Sequence, residues 1–578
     1  MKSSFLSLLL LFVSGYLIAQ HNLETVFEKS NGLRTPTYLE GIEYFKRLAG
    51  SSDFLNIREI GITDSGQPLH LVVFSHSKEF EFDKLRARNK YFMLVNNAIH
   101  AGEPDGVDAS MLFLRELTTN ASLRNELQNV VIAVIPFYNI GGVLNRNSTT
   151  RINQLGPESY GFRGNAQNLD LNRDFMKMDS RNARSFAEIF HLIKPDLFVD
   201  NHVSDGADFQ HVVTLIATQH NKLGGEMGVY LHETLVPGLY KEMAERKYDL
   251  VPYVNIFNAN PDRGFSEFKD GPRYSSGYAA LFQCFSFIIE THSLKPFKDR
   301  VLATYELNKA MAQYVAKNGK TMRELRLLDQ KMFRSSTQYF LDWHLDRSLS
   351  TKIFFKGYES TMVKSKITGN ERLQFDRGKP YEKEIDFYDT YNPSGTVEVP
   401  GFYVIPQGWT KVVERLQWNQ IRMRRVQSDS SFEATVYLIT NYEHARNPYE
   451  GHYPNNSAEL NEVTEDITVR GGDYIVPTDQ PGLRYIMEVL EPQGPDSFFT
   501  WNFFDAILQQ KEYFSPYIFE ELAPGILNEN PDLRNNFEER IKADSVFANS
   551  PFQQLNFIYQ NSKYREKDFM RYPVYKIK

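Results

Sequence analysis

Between about residues 39 and 318 the chain alternates short apolar runs with segments of helical period, the pattern that a doubly wound α/β sheet requires. The runs 69–74, 91–95, 130–135, 195–200 and 285–289 are predicted strands. Helices are predicted between them over 106–118, 180–193 and 230–245, and a longer one over about 298–318 closes this unit. After about residue 321 the character changes. A further helical segment is predicted to 349, followed by short β-like pieces at 351–355 and 401–406. The stretch 387–474 is rich in Pro, Asn, Gly and Thr, and the aromatic tail 498–575 has a mostly helical pattern. Residues 320–578 are therefore expected to form one or two accessory domains of mixed α and β class, with no internal repeat.

At 578 residues, 42% of them hydrophobic, the chain is long enough for two or three domains. Its 65 basic and 72 acidic residues give a net charge of -7, with no long run of one sign, so no nucleic acid partner is expected. Residues 1–19 carry one positive charge, a short apolar core and a closing small residue, and read as a secretory signal peptide. No other apolar run reaches spanning length, so no membrane span is expected once the signal is removed. The single cysteine, Cys284, lies in an apolar run and cannot form an internal disulfide. An exported chain without disulfides is expected in a bacterial periplasm or secreted from the cell.

The chemistry starts at His100-Ala-Gly-Glu103, where the apolar run 91–99 ends. Catalytic zinc is held by three nitrogen or oxygen donors and keeps one position open, so this pair asks for one more ligand. His202 follows another β-like run, and ligands gather outside the carboxyl ends of strands in open α/β sheets. By itself each residue also fits a solvated loop. Gly102 and Pro104 flank Glu103, placing the pair on a tight loop and not inside a helix. Glu290 ends a third apolar run, where a raised pKa would suit proton transfer. His292, two residues on, is a weaker competitor for that role. Asn172 and Arg173 set an amide beside a guanidinium fork, a pairing suited to a planar carboxylate.

Taken in order, His100-x-x-Glu103, Asp170-Leu-Asn172-Arg173, His202 and Glu290 before Thr-His-Ser resemble the zinc carboxypeptidase A-like metallopeptidase family over roughly residues 35–318. The resemblance implies a central mixed, twisted, eight-stranded sheet flanked by helices, with one Zn2+ per chain at its rim. It makes His100, Glu103 and His202 the metal ligands and Glu290 the general base and acid that works with a zinc-activated water. Asn172 and Arg173 become the clamp for the free C-terminus of a peptide substrate, and Asp170 the residue that orients the first histidine. Arg163 is the choice for the arginine that stabilises the oxyanion, with Arg151 and Arg146 as alternatives. Tyr274 and Tyr278 compete for the substrate-capping tyrosine. Asp174 stands where the family usually has Asn. The expected protein is an exported zinc metallocarboxypeptidase. A zinc amidase or peptidase acting on peptidoglycan stem peptides is one alternative, and a catalytically inactive binding protein is another. The expected division is a signal at 1–19, a catalytic domain at 35–318 and an accessory region at 320–578.

Overall fold

The structure is a computed structural model that describes residues 23–578; the predicted signal peptide lies outside the described residues. Its central sheet is built from β1 (Leu55–Ile60), β2 (Leu69–Ser75), β3 (Tyr91–Asn97), β4 (Val130–Ile135), β5 (Leu197–Ser204), β6 (Val213–Ala217) and β8 (Phe285–His292), while β7 (Phe265–Ser266) belongs elsewhere. The strand order is β1-β2-β4-β3-β5-β8-β6, mixed in direction, with β4, β3, β5 and β8 parallel to one another. Strands β4 and β5 are buried along their whole length, which is why each includes an unbroken apolar run. Helices Asp105–Thr119 and Phe297–Arg334 pack against each other, and Arg181–Ile193 and Val236–Glu245 complete the flanking layers.

Seven strands stand where the resemblance implied eight. Beside the edge strand β6 a single parallel bridge, Leu215 to Pro252, occupies the eighth position. The Leu215 amide donates to the Val251 carbonyl and the Tyr253 amide to the Leu215 carbonyl, and the pairing is confined to this bridge.

A second departure concerns the helix predicted to stop near residue 318. It runs unbroken over 38 residues, Phe297–Arg334, and the segment expected to be helical up to 349 contains instead β9 (Gln338–Leu345), paired with β12 (Tyr391–Glu398). The long strands β10 (Thr351–Lys364) and β11 (Glu371–Tyr388) form a hairpin that adds β7 at its base. Strands β13 (Phe402–Ile405), β14 (Arg424–Arg425), β15 (Ser430–His444), β16 (Asn455–Val469), β17 (Tyr474–Pro477) and β18 (Tyr575–Ile577) make a six-stranded sheet, and helices Pro516–Glu529, Pro531–Ala543 and Pro551–Gln560 follow in the tail.

The apolar core is continuous across the two halves, joining Phe45, Leu94 and Phe198 of the first to Tyr403, Tyr485 and Phe504 of the second. No helix among the described residues is long and apolar enough to cross a membrane.

Candidate active site

Three consecutive parallel strands deliver the candidate residues to one rim. Strand β3 ends at Asn97, and Ala98 takes a left-handed backbone (φ 56°) that turns the chain so His100 and Glu103 face back over the sheet. Next to it, β5 carries His202, and in the following strand Glu290 pairs with His202 in register. Adjacent side chains on neighbouring parallel strands point the same way, so the register alone brings Glu290 alongside the histidine.

The donor atoms converge. Nδ1 of His100 lies 3.2 Å from Nδ1 of His202, and the two oxygens of Glu103 divide between them, Oε1 3.2 Å from Nδ1 of His100 and Oε2 3.2 Å from Nδ1 of His202. All three residues are buried. On its far side each ring meets a carboxylate: Nε2 of His100 is 3.0 Å from Asp170 Oδ1, and Nε2 of His202 is 2.9 Å from Asp200 Oδ2. An ionised carboxylate only accepts, so Nε2 carries the proton in both rings and both Nδ1 lone pairs turn toward the common point. Two such lone pairs and a carboxylate at this spacing repel one another unless a cation lies among them. Tetrahedral zinc, with bonds of about 2.0 Å, spaces its donors by about 3.3 Å, so the set fits that ion.

Glu103 is also held by the Val203 amide at 2.9 Å and by Arg151 Nη1 at 2.9 Å. Gly102 permits this approach, since a Cβ there would lie 2.5 Å from Arg151 Cδ. Burial raises the Glu103 pKa, but His100 and Arg151 outweigh it and hold the carboxyl well below its ordinary value.

A cavity of about 340 Å3 opens over this cluster, lined by His100, Glu103, His202, Arg163, Asn172, Arg173 and Glu290 together with Arg151 and Tyr274. Glu290 Oε2 is buried and has no hydrogen-bond partner among the described residues. Burial pushes the Glu290 carboxyl up to about 8, with His202 drawing it down and Glu103 adding to the rise. His292 points away and stacks on Phe209, the rings 4.1 Å apart.

The amide and the guanidinium are both restrained and both keep a donor free. Asn172 Oδ1 accepts from the Ser275 amide at 3.1 Å, and Arg173 Nη1 donates to the Asn172 carbonyl at 2.8 Å. Asn172 Nδ2 and Arg173 Nη2 have no hydrogen-bond partner among the described residues. Tyr274 lies beneath the guanidinium, 4.6 Å from ring centre to Cζ. Tyr278, the other capping candidate, is fully buried and donates to Asn419 at 2.6 Å, so it belongs to the core. Arg163 holds Asp170, with Nε 2.9 Å from Oδ2, and extends Nη1 to within 3.7 Å of Glu103. Arg146 faces elsewhere, donating to the Pro36 and Ser159 carbonyls. Asp174 is buried under the site, where it accepts from Lys177 Nζ and the Ser180 amide.

Three residues that the sequence reading did not place stand here as well. Asp200 had a visible signal, a carboxylate two positions before His202 directly after the apolar Leu197-Phe198-Val199. Tyr449 and Glu450 had none, coming from the loop between β15 and β16 some 280 positions away in sequence from Asp170 and Arg173.

Residues 42–209 match the model of the zinc carboxypeptidase family. That stretch is similar to zinc carboxypeptidases, and the three converging donors described above all lie within it. Among named proteins it is similar to carboxypeptidase 2 of Trichophyton rubrum, 23% identical over 496 residues that cover 82% of this chain and 85% of the relative. Carboxypeptidase 2 of Trichophyton equinum is 24% identical over the same extent. Among solved structures, a metallo-carboxypeptidase from Burkholderia cenocepacia is 18% identical, over 48% of this chain and 69% of that one, with a TM-score of 0.35. Carboxypeptidase A from Helicoverpa armigera is 16% identical, over 49% and 74%, with a TM-score of 0.38.

Proposed function

We propose that this chain is an exported carboxypeptidase that removes C-terminal residues from peptides, with one zinc ion held by His100, Glu103 and His202. The observation that carries the reading is the meeting of three metal donors, one unpartnered carboxylate oxygen and two free clamp donors in a single cavity. Bound zinc supplies a Lewis acid that polarises the scissile carbonyl and lowers the pKa of water toward about 7. The residues of the chain do the rest.

Asn172 Nδ2 and Arg173 Nη2 take the terminal carboxylate, which fixes the scissile bond one residue away from the chain end and makes the enzyme an exopeptidase by positioning. Tyr274 closes over the terminal side chain. Arg163, facing the cavity with Nη1, stabilises the charge that develops on the carbonyl oxygen. Glu290 Oε2 accepts the proton of the attacking water and returns it to the leaving amine, a task for which a raised pKa is suited. Asp170 holds His100, and Asp200 holds His202, in the orientation that faces the metal. The leader at residues 1–19 supports export, and the catalytic machinery is assigned to 35–318, with 320–578 as the accessory region.

Glu290→Gln keeps the shape and removes the base. Turnover of a peptide with a free C-terminus is expected to fall by about 10²–10⁴-fold with zinc content unchanged. Near-full activity in this variant would remove Glu290 from the mechanism.

A further inference from the structure

The connection between β15 and β16 leaves the six-stranded sheet of the accessory region and lies against the clamp. From this geometry we infer that Tyr449 and Glu450 are positioning residues for the substrate carboxylate, so the accessory region completes the active site. The inference rests on the reading of Asn172 and Arg173 as the clamp.

A guanidinium binds a carboxylate well only when its plane is fixed, and the Arg173 fork is fixed from three sides. Nε donates to the Tyr449 hydroxyl at 3.1 Å and Nη1 to the Asn172 carbonyl at 2.8 Å, while the centre of the Tyr274 ring lies 4.6 Å from Cζ. Nη2 is what remains for a ligand. Without the Tyr449 hydroxyl, the fork keeps the short bond to its own neighbour, the ring contact and the Asp170 carboxylate 3.9 Å from Nη1, but nothing holds Nε, and the group can turn about its stem.

Glu450 acts on the backbone of the same turn. Its Oε2 accepts from the Asp170 amide at 2.7 Å, and Asp170 in turn caps the turn Leu171–Arg173 through its side chain, which accepts from the Asn172 amide at 2.8 Å. One loop residue therefore holds the turn that carries the clamp and its neighbour holds the clamp arginine.

The loop is itself anchored. The Tyr449 ring stacks on Trp501, centroids 6.1 Å apart and planes 18° off parallel. Arg273, pinned to Asp496 at 2.7 Å, lies over Trp501 at 5.0 Å and Tyr449 at 5.9 Å. His452 Nε2 reaches Asp179 of the catalytic half at 2.7 Å. A mobile surface loop would have none of these.

The test uses the full-length zinc-loaded chain and the variants Tyr449→Phe, Tyr449→Ala and Glu450→Gln. Two measurements are made: steady-state kinetics, giving KM and kcat for a peptide with a free C-terminus, and calorimetry, giving the affinity for a product peptide as the acid and as the α-amide. Tyr449→Phe keeps the stacked ring and loses only the hydroxyl. It is expected to raise KM about tenfold with kcat within about threefold, and to shrink the preference for acid over amide by a similar factor. Tyr449→Ala goes further in the same direction, and Glu450→Gln, which can still accept from the Asp170 amide, stays close to wild type. A purely structural role would lower the melting temperature and leave the acid-over-amide preference in place. The inference is overturned if Tyr449→Phe and Tyr449→Ala both keep that preference within twofold of wild type. A wild-type chain that binds the acid preferentially but cleaves nothing would sink the carboxypeptidase reading and leave this one measurable; no preference in the wild type would sink both.

Discussion

Asp200 and Asp170 act on opposite flanks of the cluster of candidate metal donors, each accepting the outer N–H of one histidine. Asp200 is fully buried and also accepts from Asn96 at 3.1 Å, so its carboxylate cannot be replaced by solvent. Asp200→Ala is expected to weaken zinc binding by about 10–100-fold, read by competition with a chelator of known affinity. An unchanged affinity would mean that packing alone orients His202. At this scale the sequence was informative wherever residue type dictates chemistry: histidines and acids at strand ends, an amide beside a guanidinium. It could not separate Tyr274 from Tyr278, because the choice depends on where a helix starts. Tyr274 is the residue before helix Ser275–Ala280, with extended backbone, and faces the cavity; Tyr278 is one turn in and faces the core. Tyr449 and Glu450 were illegible for a different reason, since nothing in a polar loop announces which distant side chain it will meet.

Among the elements, the long helix Phe297–Arg334 bears most directly on the site. Arg300, fully buried near its start, donates to Asp105 through Nε at 2.9 Å and Nη2 at 3.3 Å, and Thr291 of β8 adds a 2.6 Å bond to the same carboxylate. Asp105 begins the helix that follows Glu103, so helix, strand and metal loop are tied at one point. Arg300→Met leaves that carboxylate buried without its cation and is expected to cost about 3–5 kcal/mol of stability in urea unfolding. A loss below about 1 kcal/mol would show that the site relaxes around the lone acid. The buried strands could be read from sequence because a strand covered on both faces is continuously apolar. Strand β1 escaped because its exposed side mixes Asn, Arg and Glu with the apolar residues, and β6 because it has only five residues. The end of the long helix was misplaced at Asn318-Gly319, a pair that resembles a helix stop. In the fold Gly319 serves close packing: a Cβ there would lie 2.5 Å from the Tyr91 ring.

Across the whole molecule, the two halves share a core and are also joined by charge. Asp179 of the catalytic half meets Lys177 Nζ at 3.0 Å, His452 Nε2 at 2.7 Å and Arg415 Nη2 at 3.1 Å, the last two from the accessory region. Burial raises the Asp179 pKa, but His452 and Lys177 pull it down further, to well below the ordinary value. A depressed folded-state pKa gives stability that is present above the unfolded value, about 3.9, and is lost as pH falls below it toward the folded value. Unfolding midpoints in urea should therefore drop steeply as pH is lowered below about 4, and Asp179→Asn should flatten that part of the profile. An equal slope in the variant would place the acid sensitivity elsewhere. The change of pattern that the sequence shows near residue 321 falls inside the continuous helix Phe297–Arg334, and the contacts across it were not legible, because they are made by side chains far apart in the chain.

The bond between Arg173 and Tyr449 also has a consequence in time. Ribosomes add about 5–20 residues per second, so the stretch separating these two positions takes on the order of 15–55 s to synthesise. From the synthesis of Glu290 to that of Tyr449, about 8–32 s at the same rate, a nascent chain can hold the proposed metal donors and general base while the proposed carboxylate clamp has no outer brace. On the proposed reading, full-strength binding of a peptide carboxylate arrives only once the loop that carries Tyr449 has emerged and docked, which ties the onset of activity to the late stages of synthesis.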